Sequence, residues 1–245
     1  SYTEGIRIDA TTSLNSGGGN ISIKGKSYNT SVGSGAGASG VGFYFLTSPG
    51  SIISGTGTIL IDGYSQASGS NANAGILFWN NVANTFTIQS SNPTAGAITI
   101  NGYATGTSGQ AYGMEVEGAN TLNIFATGAG GGITVNTGNS SSGYDLVLRG
   151  ETNILAQSGP IQIKGGQFGG SANQIIFLSN NLFLGSKAST AISSSSSDIT
   201  LQFDRFDNDP ERSKFATSGT VTVQPNDTSF GMEVWTSFFD WNQNS

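Results

Sequence analysis

The sequence predicts an all-β chain wound as a right-handed parallel β-helix. Three observations predict it: one short apolar motif returns along nearly the whole length, two further apolar runs follow it in constant order, and no segment has helical periodicity. The motif is a small residue followed by Ile-x-Ile or a close variant. It occurs at Ile21-Ser22-Ile23, Ile59-Leu60-Ile61, Ile98-Thr99-Ile100, Ile133-Thr134-Val135, Ile161-Gln162-Ile163 and Ile199-Thr200-Leu201. By subtraction the starts are 38, 39, 35, 28 and 38 positions apart. Self-similarity at such a period marks a repeat architecture, and irregular spacing means loops of variable length between fixed strands.

The second run of each repeat reads Val41-Gly42-Phe43-Tyr44-Phe45, Ile76-Leu77-Phe78-Trp79, Met114-Glu115-Val116, Leu146-Val147-Leu148 and Ile175-Ile176-Phe177-Leu178. The third reads Ile52-Ile53, Thr85-Phe86-Thr87-Ile88, Thr121-Leu122-Asn123-Ile124, Thr152-Asn153-Ile154-Leu155 and Leu182-Phe183-Leu184. Asn84, Asn120 and Asn181 stand just before it. Short alternating segments rich in β-branched residues and bounded by Gly, Asn and Ser read as strands. The unit is therefore one coil of three strands, with about six to seven coils and a rod on the order of 30 Å long at the usual strand spacing. Coils start near residues 20, 58, 97, 132, 160 and 198, after a partial coil near 5 to 18. The Gly/Ser/Ala/Asn tracts Gly33 to Gly40, Gln66 to Gly75 and Tyr103 to Gln110 fall between first and second strands, on one corner of the rod. A sandwich would not require homologous strands to look alike, and a four-strand propeller blade needs about 40 to 50 residues per unit.

Two regions follow from this reading: residues 1–203 as β-helix coils, and residues 204–245 as a terminal coil with an acidic loop and an aromatic-rich cap or subunit-contact segment. Composition supports an extended core over disorder. Gly makes up 37 of 245 residues and charged residues 10%, yet the chain holds 14 Phe, 7 Tyr and 3 Trp. Disordered segments lack such aromatic and β-branched content.

Composition also excludes function classes. The net charge is −6 and the nine basic residues are scattered, so no stripe exists to neutralise a phosphate backbone and nucleic-acid binding is not expected. With neither Cys nor His, the chain lacks disulfides, thiolate ligands and the commonest general base. No run approaches the length of a membrane-spanning helix, so no membrane insertion is expected. The first residues, Ser1-Tyr2-Thr3-Glu4, do not have the pattern of a signal peptide, which fits either a processed chain or an excerpt of a longer one.

The segment Ser218-Gly219-Thr220-Val221-Thr222-Val223-Gln224-Pro225, together with Gly19-Asn20-Ile21-Ser22-Ile23, resembles strands of the filamentous haemagglutinin-like exoproteins of two-partner secretion and of autotransporter passenger domains. The likeness covers the whole chain in texture. It implies an extracellular or bacterial cell-surface location and a structural or adhesive, non-enzymatic role. The Asn-Pro-Asn-Gly and Asn-Pro-Asn-Leu type motifs of that family's secretion domain are missing, which implies a position in the shaft. The family carries no general cofactor or catalytic residues.

Candidate sites are few. Asp207, Asp209 and Glu211 alternate in the densest charged stretch and form a weak calcium-loop candidate, the one cofactor considered; Arg205, Arg212 and Lys214 stand ready to pair them instead. Glu115 and Glu117 flank Val116 and share a strand face, as an acid/base pair of a polysaccharide-active enzyme would. Tyr44 and Trp79 occupy matching runs and are candidates for glycan stacking. Trp235, Phe238, Phe239 and Trp241 crowd the far end, where a coil stack needs a cap or a neighbour, and are an interface candidate. Thr-x-Thr pairs at Thr85 and Thr220 are too isolated for an ice-ordering ladder. Expected partners are neighbouring subunits or the rest of a longer β-helical chain, with host or matrix glycans and proteins as ligands. A self-assembling filament or surface-layer subunit is the nearest alternative function.

Overall fold

Parallel strands that repeat the same residue pattern stack like on like, and the computed structural model shows this arrangement. It describes residues 4–9, 11–27, 41–46, 49–66, 73–79, 83–105, 111–118, 120–139, 144–166, 174–177, 182–185, 196–208 and 213–226. Among these there is no helix, so none long and apolar enough to cross a membrane.

The strands form three parallel sheets of seven. Sheet A holds β1 (Glu4–Asp9), β4 (Val41–Leu46), β7 (Asn73–Trp79), β10 (Ala111–Val116), β13 (Tyr144–Leu148), β16 (Gln174–Phe177) and β19 (Arg205–Asn208). Sheet B holds β2 (Thr12–Asn15), β5 (Gly50–Gly55), β8 (Asn84–Ser90), β11 (Asn120–Ala126), β14 (Glu151–Ala156), β17 (Leu182–Gly185) and β20 (Ser213–Ala216). Sheet C holds β3 (Ile21–Ser27), β6 (Ile59–Ser65), β9 (Ile98–Ala104), β12 (Ile133–Asn139), β15 (Ile161–Lys164), β18 (Ile199–Gln202) and β21 (Val221–Gln224). The chain visits A, B and C in turn, so every third strand pairs with the one three before it. The fold is a β-solenoid, and the three recurrent apolar runs are its three sheets.

Register explains the repeat. In sheet C the column Ile21, Ile59, Ile98, Ile133, Ile161, Ile199, Val221 runs unbroken from strand to strand. In sheet B the corresponding column is Ile52, Ile88, Ile124 and Ile154, with Phe215 partly buried further along, while Leu14 at its start is 37% exposed. These columns, with Phe43, Ile76, Met114 and Leu146 of sheet A, enclose one continuous core in which most side chains are 0–2% exposed. Each fully buried Ile or Leu contributes about 2 kcal/mol. Because each column repeats one shape, a β-branched side chain meets its own kind above and below.

Sheets B and C alternate buried and half-exposed residues, as β6 does without a break. Sheet A differs: β7 is buried at all but its last position, and β10 throughout. Its reverse side carries a second apolar cluster of Val41, Tyr44, Ala74, Leu77, Tyr112 and Val147. Parallel strands buried on both faces read as continuous apolar runs rather than alternating ones. This is why the second run of each repeat, in Val-Gly-Phe-Tyr-Phe and Ile-Leu-Phe-Trp, is apolar at successive positions.

Glycine sets the approach of two sheets. The column Gly25, Gly63, Gly102 near the ends of sheet C strands faces the starts of sheet A strands, where Gly42, Gly75 and Gly113 stand one above another. A Cβ on Gly63 would lie 2.1 Å from the Gly75 carbonyl oxygen, and one on Gly42 would lie 2.2 Å from the Tyr64 amide nitrogen. Backbone therefore lies on backbone along this seam. The tracts Gln66 to Gly75 and Tyr103 to Gln110, expected as loops, are partly strand: β7 begins at Asn73 and β9 runs to Ala104. The seam requires their glycine-bearing ends to be extended. Their middles lie outside the described residues.

Residues beyond 203 continue the sheets as β19, β20 and β21, in register with β16, β17 and β18. Gly63→Ala is expected to destabilise the fold by about 3 kcal/mol or more, because backbone atoms must give way. Gly96→Ala, where an added Cβ meets nothing within 4 Å, is expected to be neutral or slightly stabilising. Urea unfolding followed by circular dichroism distinguishes the two.

Candidate functional site

Most of the described polar chemistry falls in three places: a charged cluster on the reverse side of sheet A, one buried carboxyl group at the glycine seam, and side-chain ladders on the outer faces of sheets B and C.

Arg149, one residue beyond β13, forms the charged cluster. Register sets Val116 opposite Leu148, which brings Glu117 beside Arg149 on the neighbouring strand. The Arg149 Nη1 donates to Glu115 Oε1 and, at 3.2 Å, to Glu117 Oε1. Glu115 sits in a column between Leu77 and Val147 and is only 2% exposed. Its charge is held in an apolar layer by a guanidinium that also lies 5.7 Å from the centre of the Tyr112 ring. Sequence spacing placed Glu115 and Glu117 on one face, and they are on one face. The cation between them makes the trio a clamp tying β10 to the end of β13. Aligning the second runs of the repeats, Met-Glu-Val over Leu-Val-Leu, would have revealed Arg149 as their partner.

Around the clamp lie stacked aromatics. Tyr44 and Trp79 have ring centroids 6.4 Å apart with planes at 23°, and Tyr112 and Tyr144 are 6.2 Å apart with planes at 4°. Tyr44, expected as a glycan-stacking residue, is 1% exposed, and Trp79 is half-buried. Arg7 lies 5.7 Å from the centre of the Tyr44 ring, repeating the Arg149–Tyr112 arrangement.

Asp145 interrupts the seam. It follows Gly42, Gly75 and Gly113 in the same column, and Thr137 takes the matching place after Gly102. The carboxyl group is fully buried, and the groups turned toward it are the backbone amides of Gly166 and Asn139. Burial pushes its pKa up to about 8 from 3.8; the Gly166 and Asn139 amides oppose the rise and the Asp204 charge adds to it. Nearby, Thr137 donates to the Lys164 carbonyl at 3.2 Å and Asn139 to the Ala111 carbonyl at 2.6 Å. Asp145 was not singled out by sequence reasoning. The signal was present in the series Val-Gly-Phe, Ala-Gly-Ile, Tyr-Gly-Met, Tyr-Asp-Leu.

The outer face of sheet C bears a ladder in the order Lys24, Asp62, Asn101, Asn136, Lys164. Lys24 Nζ is 3.6 Å from Asp62, Asn101 Nδ2 donates to Asp62 at 2.5 Å, and Asn136 Nδ2 donates to Asn101 at 2.8 Å. On sheet B, Asn153 Nδ2 donates to Asn123 at 2.9 Å. Beside the sheet C ladder runs the column Ser22, Leu60, Thr99, Thr134, Gln162, Thr200, Thr222, in which Leu60 and Gln162 break any row of threonines.

Of the calcium-loop candidates, Asp207 lies on β19 opposite Ile176 in backbone register, while its side chain and all of Asp209 and Glu211 lie outside the described residues. Trp235, Phe238, Phe239 and Trp241 also lie outside them. Among the described residues no three Asp or Glu side chains converge on a common point. Comparison of the chain with protein-family models, with curated proteins and with solved structures finds no match.

Two outcomes follow from the buried charges. Arg149→Met should cost about 3 kcal/mol, since it strands Glu115 in an apolar layer, and Glu115→Leu in the same chain should recover most of it; a double-mutant cycle in urea measures both. For Asp145 the sign is that of a carboxyl whose folded pKa is raised. Below about pH 4 the folded and unfolded chains both hold the proton. Between pH 4 and 8 only the folded chain does, so its contribution falls by about 1.4 kcal/mol per pH unit, and the loss levels off above pH 8. The stability of Asp145→Asn relative to the parent chain should therefore rise by about 3 kcal/mol from pH 5 to pH 7.5.

Proposed function

We propose that this chain is the shaft of an extracellular bacterial surface protein, a right-handed coil stack of filamentous haemagglutinin-like or autotransporter type that is structural and adhesive rather than catalytic. The observation that carries the reading is the continuous rung-on-rung pairing of three parallel sheets from β1 to β21, with one register shift between Ile53 and Gly55. The strand-to-strand crossovers of such a fold run right-handed almost without exception. Strand-like textures at Gly19–Ile23 and Ser218–Pro225, the cysteine-free composition and the low charge content favour the same class. The warrant for function is fold-level.

Glu115 and Glu117, the pair considered for acid/base work, both engage Arg149, which favours a structural clamp over a catalytic couple. A carbohydrate-active enzyme is therefore the weaker alternative. Filament or surface-layer assembly draws support from the ends of the sheets. Among the described residues, β1, β2 and β3 each present one strand edge without a neighbour, as do β19, β20 and β21. Such edges invite another coil of the same chain or a second copy.

Electron microscopy of the native material, with antibody labelling of intact and permeabilised cells, tests the proposal. Label on intact cells along thin rods is the expected result. Label confined to permeabilised cells would contradict the surface role, and hydrolysis of a polysaccharide by the purified chain would contradict the non-catalytic one.

A further inference from the structure

We infer that Tyr64 and Tyr103 are an oxidative cross-linking site, which a peroxide-driven oxidant closes into dityrosine and which thereby staples the coil of β6 to the coil of β9. The first observation is placement. The two residues are register partners on adjacent strands, and their ring centroids lie 5.2 Å apart with planes at 35°. Each ring is half-exposed, within reach of an oxidant in solution. Next in the column stand Lys26 on one side and Gly138 on the other, so each tyrosine has the other as its phenolic neighbour there. The second observation is rigidity. A Cβ on Gly42 would lie 2.2 Å from the Tyr64 amide nitrogen, and one on Gly75 would lie 2.1 Å from that of Tyr103, so both backbones are held against sheet A at the glycine seam. Gln66 Nε2 donates to the Tyr64 hydroxyl at 3.0 Å, and Lys26 Nζ stands 4.5 Å from the centre of the Tyr64 ring. Two groups fixed at such range react as if each were present at very high local concentration.

The third observation is the scarcity of competing groups. The chain has neither Cys nor His, and Met114 is 1% exposed, so among the described residues oxidation falls on the aromatic rings. Trp79 stacks on a Tyr44 that is 1% exposed, and Tyr144 on a Tyr112 that is 6% exposed and lies beside Arg149. Tyr64 and Tyr103 are thus the described tyrosine pair with both rings open to solvent. In the reaction each phenol gives up one electron and one proton. Hydrogen peroxide, acting through a haem peroxidase, takes up both and becomes two waters. The two phenoxyl radicals join through ring carbons ortho to their hydroxyls, and the hydrogens on those carbons then shift to the oxygens and restore both phenols. The product is one new carbon–carbon bond in a chain two hydrogens lighter. By subtraction the bond spans 39 positions, and it restricts the unfolded chain as a disulfide would in a chain that has no Cys. Each coil of a solenoid is held by its neighbours alone, so a tie across one interface fastens β6 on β9. This chemistry is independent of the adhesive role proposed above.

The test treats the whole chain, at low concentration, with hydrogen peroxide and a haem peroxidase. Dityrosine is followed by its fluorescence, and the link is located by peptide mass mapping of the monomer. A peptide pair joined through Tyr64 and Tyr103 and two hydrogens lighter is expected, with a melting temperature raised by about 5 °C or more. Tyr64→Phe and Tyr103→Phe, which keep each ring and remove its phenol, should each cut the monomer's dityrosine fluorescence at least tenfold. Tyr144→Phe should leave it unchanged. Dityrosine found only in covalent dimers, or mapped to Tyr112 and Tyr144, would overturn the inference. So would a Tyr64→Phe variant that yields as much monomeric dityrosine as the parent. A link formed between Tyr64 and Tyr103 without a rise in melting temperature would also overturn it, since such a bond staples nothing.

Discussion

Stacking of each residue on its equivalent one rung away is the constraint on which everything else in this molecule depends. At a spacing of about 4.8 Å a side chain has two fixed neighbours in its own column, and each position must accept its own kind twice. Isoleucine satisfies this in the core because its branched shape nests on another isoleucine. Asparagine satisfies it outside, because the amide of Asn136 can donate to Asn101 while Asn101 donates onward to Asp62. Glycine satisfies it at the seam, where Gly42 and Gly75 let the start of sheet A lie against the end of sheet C. In the apolar layer behind sheet A the Glu115 charge is met from outside its own column, by Arg149 just beyond the neighbouring strand.

The same constraint determined how much of the structure was readable beforehand. Sheets B and C were legible because one face is core and the other half-exposed, so their strands alternate and the motif survives loop-length changes. The second run was also legible as a strand, but its two-sided burial was not, since an uninterrupted apolar run does not say what covers its second face. Tyr44 illustrates the difference: its place in the run was evident, while its 1% exposure depends on the cluster behind sheet A. Pairing of Glu115 and Glu117 on one face followed from strand parity. Arg149, 34 residues from Glu115, required the inter-strand register. Asp145 was obscured because it marks a departure from a glycine column, and such a departure is visible only once the column is aligned.

That departure divides the solenoid chemically. Up to β10 the seam is glycine on glycine, and from β12 and β13 onward it contains Thr137 and a carboxyl group that burial keeps protonated near neutrality. The glycine stretch coincides with the outer face bearing Tyr64, Tyr103 and the Asp62 to Asn136 ladder, so the flattest backbone packing underlies the most regular surface. A surface made of rungs inherits its spacing from the core.

Cysteine cross-linking tests the rung-on-rung register most directly, since the chain has no cysteine of its own. Thr99 and Thr134 are register partners on adjacent strands, with outward side chains. Neighbouring strands place their Cα atoms within the range a disulfide spans. Thr99→Cys with Thr134→Cys should close a disulfide under mild oxidation, whereas Thr99→Cys with Gln162→Cys, two strands apart, should not. A bond that forms readily in the second pair and not in the first would contradict the parallel stacking on which the fold and the ladders are built.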